Sequence, residues 1–189
     1  MAEHSTEEME VSCIVNDYIS YQLQMNGYEW RSPTATPTKV NSSLRSLGNE
    51  FKTRYRDSFL EMTDSLDIQP STARATFLGV ANELFSEGVT WARIVALFVF
   101  ASEMALICHR MSHMEIVNDV AEWLSSYIKS NLLTWIRDHD GWDGLVTFHE
   151  GYDDLRSESP WPVLKKFVCG VAAGVIGALT VGAILSSKS

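Results

Sequence analysis

Cysteine is scarce in this chain. Cys13, Cys108 and Cys169 are the only three, too few and too scattered for a disulfide framework, and an odd count leaves at least one unpaired. Reduced thiols in a cytosol-facing protein are the reading they favour. A basic stripe with interleaved aromatics is also missing. The formal charge is −9, and because Lys165, Lys166 and Lys188 lie beyond the last acidic residue, Glu158, the acidic excess before that point is larger still. Such a surface repels phosphate backbones and argues against a nucleic-acid role. The opening residues Met1-Ala2-Glu3-His4-Ser5 carry acid where a secretory signal has a basic region and an apolar run, so no such signal is expected.

Catalytic signatures are equally thin. There is no Gly-rich phosphate loop, CxxC pair or GxSxG elbow, and His139 and His149 are isolated. His109 and His113 have a metal-ligand spacing, but HRMSH lacks the glutamate of HExxH and falls between two helices, so a polar helix end is expected. The carboxylates are scattered along exposed helix faces. No enzyme, cofactor or metal is expected.

What the chain does have is helical periodicity, with no sustained period-two alternation and no hairpin signal. A chain of 189 residues that is 46% hydrophobic supports one sizeable core and one domain. The proline-punctuated stretch RSPTATPT, residues 31–38, reads as a flexible loop, and Gln69-Pro70-Ser71-Thr72 as a turn ending in a helix N-cap. Between the breaks, a first helix is predicted over about Glu8 to Met25 with Val11, Ile14, Val15, Tyr18, Ile19 and Leu23 on one side. A second, about Lys39 to Asp57, carries the stripe Val40, Leu44, Leu47 and Phe51. A third covers Thr72 to Phe85.

From Ile94 to Ile107 only Ser102 and Glu103 interrupt the apolar residues, and a helix apolar all round belongs in the middle of a bundle. About Met114 to Leu132 is amphipathic again, with Ile116, Val117, Val120, Trp123, Leu124, Tyr127 and Ile128 at helical spacing. Short helices follow near Leu133 to Arg137 and Trp142 to His149. The expected fold is all-α: a bundle of seven or eight helices around one apolar helix, over residues 1–159.

Residues 160–189 form a separate tail. The 19 residues Phe167 to Leu185 are uncharged and would span about 28 Å as a helix, close to a hydrocarbon core. Lys165 and Lys166 on one side, Lys188 on the other, and Trp161 suit the two interfaces. A C-terminal tail anchor with the body in the cytosol is the expectation. Gly170 and Gly174 form a GxxxG spacing compatible with pairing of such helices in a homo- or heterodimer.

Four segments carry a family resemblance. Residues 83–95, ELFSEGVTWARIV, resemble the first Bcl-2 homology motif, ELF-x-x-G-x-NWGR; residues 135–142, WIRDHDGW, the second, WI-x-x-x-GGW; residues 44–51, LRSLGNEF, the third (BH3), L-x-x-x-GDE. Residues 14–30, IVNDYISYQLQMNGYEW, are similar to the fourth motif of the pro-survival relatives. All four stand in the order found in the Bcl-2 family, and with the tail they cover nearly the whole chain. The resemblance implies a Bcl-2-like bundle with a surface groove that receives the BH3 helix of pro-death partners, both Bax/Bak-like effectors and BH3-only proteins. The implied setting is the mitochondrial outer membrane or the endoplasmic reticulum, where the protein would restrain membrane permeabilisation.

Aligned with the family's groove positions are Phe51, Tyr55, Phe59, Met62, Val80, Leu84, Val95, Ala96 and Phe100, with Glu83 as a rim acid. Arg93 would open the central helix at the rim and pair with the aspartate of an incoming helix. Trp91, Trp135 and Trp142 read as packing aromatics. Three substitutions depart from the motifs. Ala92 replaces the glycine of NWGR, adding a methyl where a partner backbone would approach. Thr90 replaces its asparagine, keeping a capping hydroxyl. Asn49 replaces the aspartate after Gly48 in the chain's own BH3-like stripe (Val40, Leu44, Leu47, Gly48, Asn49, Phe51), which predicts a poor ligand and favours a receptor. The alternative is a Bax/Bak-like effector that oligomerises and permeabilises the membrane, since Ala96 to Ser102 and Trp142 to Leu145 resemble Bax.

Overall fold

The uninterrupted apolar run beginning at Ile94 folds as the central helix. In the computed structural model, which describes residues 2–57 and 68–154, it spans Trp91–Arg110, and nearly every side chain from Ile94 to Leu106 is buried. Its two polar interruptions are both satisfied. Ser102, fully buried, donates to the Val99 carbonyl at 2.8 Å, and Glu103 takes an ion pair from Lys52 at 2.6 Å. The helix is long and apolar enough to cross a bilayer, but its side chains are spent on the core.

In chain order the helices are α1 (Ala2–Met25), α2 (Lys39–Arg54), α3 (Ala73–Leu84), α4 (Trp91–Arg110), α5 (Met114–Tyr127), α6 (Leu133–Asp138) and α7 (Asp143–Asp154), with a single π turn, Ile128–Leu132, joining α5 to α6. No strand occurs among the described residues. Helices α1, α2, α3 and α5 all pack against α4. The stripe read from α1 is the buried one: Val11, Ile14, Val15, Tyr18, Ile19 and Leu23 are each 5% exposed or less. In α3 the buried set is Ala73, Thr76, Phe77, Val80, Ala81 and Leu84, a full i, i+3, i+4, i+7 face.

The structure departs from the sequence reading at several helix ends. Helix α1 begins six residues before the expected Glu8, over residues with no apolar pattern. Its extension is held from outside, since the Glu7 carboxylate accepts from Arg137 of α6, with Nε at 2.9 Å and a second bond from Nη2. Thr72 does not cap α3. Its own backbone is near-helical (φ −111°, ψ −14°) and its hydroxyl donates back to the Gln69 carbonyl at 3.3 Å. The predicted single helix to Leu132 instead widens into the π turn, which lets the adjacent Leu132 and Leu133 both be buried, at 1% and 4% exposure.

Residues 31–38 form a loop that is fastened where it passes α1. The Thr34 amide donates to Asp17 at 2.9 Å and Arg31 donates to Asn16 at 2.6 Å. The tail segment 167–185, its flanking lysines, Trp161 and Cys169 lie outside the described residues.

Candidate helix-binding site

Helix α2 presents its motif face inward. Leu44, Leu47, Gly48 and Phe51 are buried, and Val40 packs at the edge of the same core. Gly48 is there because nothing larger fits: an added Cβ would lie 2.0 Å from the Tyr18 hydroxyl of α1. Burial, and then the nearby Glu103 carboxylate, push the Tyr18 phenol far above its ordinary pKa, so it stays neutral. The polar residues of α2 bind the body as well. Arg45 donates twice to Asp17, at 3.1 and 2.6 Å, and lies over the Tyr21 ring. Asn49 donates to Tyr21 at 2.8 Å and accepts from Gln22 at 3.1 Å. From α7, His149 reaches Ser43 at 3.1 Å and Ser46 at 3.2 Å. Leu44, Leu47, Gly48 and Phe51 of the chain's own BH3-like stripe are therefore core, Val40 is partly buried and Asn49 is exposed, and the helix is tied down at several points by side-chain bonds.

The remaining groove candidates converge from α2, α3 and α4. Phe51, Tyr55, Val80, Leu84, Ala92, Val95, Ala96 and Phe100 belong to one apolar cluster, and each is 9% exposed or less. Phe51 lies 4.9 Å from Tyr55 between ring centroids, and Phe100 stacks on Phe77 at 6.3 Å. These side chains are buried in this structure. Phe59 and Met62 lie outside the described residues. The polar candidates stand at the surface: Glu83 and Thr90 are exposed.

Arg93 sits in the first turn of α4. Thr90 is extended (φ −144°, ψ 157°) and its hydroxyl accepts the Arg93 amide at 3.3 Å, so the hydroxyl does cap this helix. The side chain as a whole is only 12% exposed. It donates from Nη1 to the Gly88 carbonyl at 2.6 Å and from Nη2 to the Glu87 carboxylate at 3.1 Å. Gly88 makes this possible by taking φ +103°, a value open to glycine, which folds residues 87–88 back over the helix start. The first turn of α4 contains no acid, so the positive end of the helix and a cation share one corner, and both draw a carboxylate there. Sequence reasoning missed Glu87; the signal was a glutamate beside a glycine just ahead of the motif's arginine.

The tryptophans pack as expected of structural aromatics. Trp91 meets Trp135 at 5.2 Å and Trp142 at 6.1 Å between centroids. The turn holding Trp142 needs two left-handed residues, Asp140 (φ +64°) and Gly141 (φ +59°). Asp140 occupies a position where the second motif has glycine, and short polar side chains tolerate that conformation best after glycine. No group of three or more metal-ligating side chains that could hold an ion occurs among the described residues. His109 lies against Tyr28 at 4.3 Å. Away from the groove candidates, a cleft of about 350 Å³ opens between α3 and the α5 end, lined by Arg74, Leu78, Glu122, Trp123 and Tyr127.

A central apolar helix jacketed by amphipathic ones, with an arginine in its first turn, defines an α-helical bundle built around one hydrophobic helix. Comparison with known proteins makes this specific. Residues 44–142 match the family model described as apoptosis regulator proteins, Bcl-2 family. Apoptosis regulator R1 of Xenopus laevis is 33% identical over 180 residues, covering 93% of this chain and 78% of that protein. Bcl-2-like protein 1 of Homo sapiens is 30% identical over 197 residues, covering 98% and 84%. Apoptosis regulator Bcl-2 of Canis lupus familiaris is 36% identical over 159 residues, covering 82% of this chain but 66% of that protein. Among solved structures, Trichoplax adhaerens trBcl-2L2 bound to trBak BH3 superposes with a TM-score of 0.70 at 35% identity, covering 75% of this chain and 98% of that one. The chain belongs to the Bcl-2 family of apoptosis regulators.

Proposed function

We propose that this chain is a pro-survival member that binds BH3 helices of pro-apoptotic partners and so restrains permeabilisation of the mitochondrial outer membrane. The observation that carries the reading is Arg93, a largely buried side chain at the rim of an apolar cluster built by α2, α3 and α4. A carboxylate on an amphipathic helix is the complement of that corner, and the helix's apolar face is the complement of the cluster beneath. The related Trichoplax protein is bound to a BH3 segment. The inward-facing, tied-down α2 supports a receptor over a ligand.

Because the cluster's side chains are buried here, a helix can dock on them only once they are uncovered, and the affinity is reduced by the share of time they spend covered. Fluorescence polarisation with a panel of BH3 peptides tests the reading: at least one should bind with Kd below roughly 10 μM, about −7 kcal/mol, and none doing so would end it. The tail residues 167–185 supply the anchor in this reading, placing the body on the cytosolic face of the outer mitochondrial or endoplasmic reticulum membrane. A fluorescent protein fused to residues 160–189 should colocalise with one of these organelles.

A second reading, a pore-forming effector, draws on the length and apolarity of α4. The Glu103–Lys52 pair stands against it, since insertion would strip a carboxylate of its cation. Dye release from liposomes by activated protein would favour it; inhibition of Bax-driven release favours the first reading.

A further inference from the structure

The Arg93 corner already holds a carboxylate. The guanidinium has five N–H donors in a rigid fork. One is taken by the Gly88 carbonyl, a backbone group that cannot leave without refolding the turn at φ +103°. Another is taken by Glu87, whose side chain is 81% exposed while Arg93 is 12% exposed. One ligand is fixed and the other is exchangeable. We propose that Glu87 is a placeholder acid: it occupies the guanidinium in the empty protein and is displaced by the carboxylate of an incoming helix, so that it sets how strongly this groove selects for an acidic partner. The inference rests on the BH3-binding reading above and names a determinant of specificity within that site.

The chemistry of the exchange follows from charge. When the partner's aspartate docks, one ion pair forms at Arg93 as another breaks, and the Gly88 carbonyl keeps the guanidinium aimed throughout. The gain from a partner's acid is thus reduced by what Glu87 gave up. A helix without that acid leaves Glu87 in place and Arg93 neutralised, so it suffers less than it would over a bare guanidinium. Glu87 therefore narrows the difference between acidic and neutral partners. The exchange also makes binding weakly dependent on salt, because the number of ion pairs hardly changes; without Glu87 each binding event creates a new pair that salt screens.

The test measures four affinities by fluorescence polarisation, using a fluorescein-labelled Bak BH3 peptide and the same peptide with its aspartate replaced by asparagine, against the full chain and Glu87→Gln. The variant changes an exposed side chain, and an unchanged thermal midpoint verifies its fold. Expected is a two- to fivefold tighter Kd for the acidic peptide, roughly what an exposed ion pair contributes, no gain for the asparagine peptide, and a steeper loss of affinity for the acidic peptide between about 50 and 300 mM salt. Binding that Glu87→Gln leaves unaltered, or tightens equally for both peptides, overturns the exchange while leaving the BH3-binding reading standing. Absence of binding of both peptides to both proteins overturns that reading and the exchange with it.

Discussion

Arg45 and Arg93 are held in opposite ways. Arg45 is 16% exposed and faces Asp17, which is 2% exposed, through two bonds, while a third bond from the Thr34 amide reaches the same carboxylate. Arg93 is similarly buried, but its acid is 81% exposed and bonded once. The first arrangement joins α1, α2 and the loop before α2 into one unit that cannot be exchanged with solvent or partner. The second pairs a cation with an acid that remains open to solvent. The difference separates a charge whose acid is locked inside the fold from one whose acid stands in solvent, and it lies in the partner's burial rather than in the arginine.

The comparison can be broken hardest at Asp17. Asp17→Ala should cost about 3 kcal/mol in urea unfolding, because it leaves Arg45 and the Thr34 amide unpaired in a low-dielectric site. A loss below about 1 kcal/mol would erase the distinction. Next comes the packing that keeps α2 against α1. Gly48→Ala places a methyl on the Tyr18 hydroxyl and should cost about 2 kcal/mol; Tyr18→Phe in the same background should recover part of it, a coupling that a double-mutant cycle reads directly. At the ligand end, Ala92→Gly removes the methyl beside the helix start and should tighten BH3 peptide binding by on the order of tenfold if that methyl obstructs a partner backbone. The smallest effect belongs to Glu87→Ala, which should leave the unfolding free energy within about 0.5 kcal/mol of the parent, in contrast to the several-fold larger loss at Asp17.

Much of the bundle was legible because burial writes itself as periodicity. The six-residue stripe of α1 and the unbroken apolar run of α4 specified which faces are inside. Helix ends were less legible, since they are decided by distant partners. Nothing near residues 2–7 announces that Arg137 will hold them, and Thr72 carries a capping side chain yet spends its hydroxyl on Gln69. The site divided in the same way. The motif residues of α2, α3 and α4 do converge, but their covered state depends on how the helices close over one another, which no local pattern encodes. Glu87 escaped notice because its role depends on a left-handed turn at Gly88. Cys108 and Cys13 show the same limit: only the fold tells that one thiol is exposed and that burial, aided by Glu115, pushes the other up to about 11.

The π turn between α5 and α6 sets the phase of everything after it. An α-helix turns by about 100° per residue, and the wide turn at Ile128–Leu132 accommodates one residue more than regular winding would. Deleting a single residue there would let the helix wind smoothly with α6 still in phase, because the wide turn is what absorbs the extra residue. Tightening the turn to regular winding with every residue kept would instead advance α6 by about 100°: Trp135 would leave the Trp91 ring it now meets at 5.2 Å, Ile136 would swing out of the core, and Arg137 would lose Glu7. The irregularity thus acts as a spacer that synchronises two ends of the molecule, and a chain made locally more ideal would be globally misaligned.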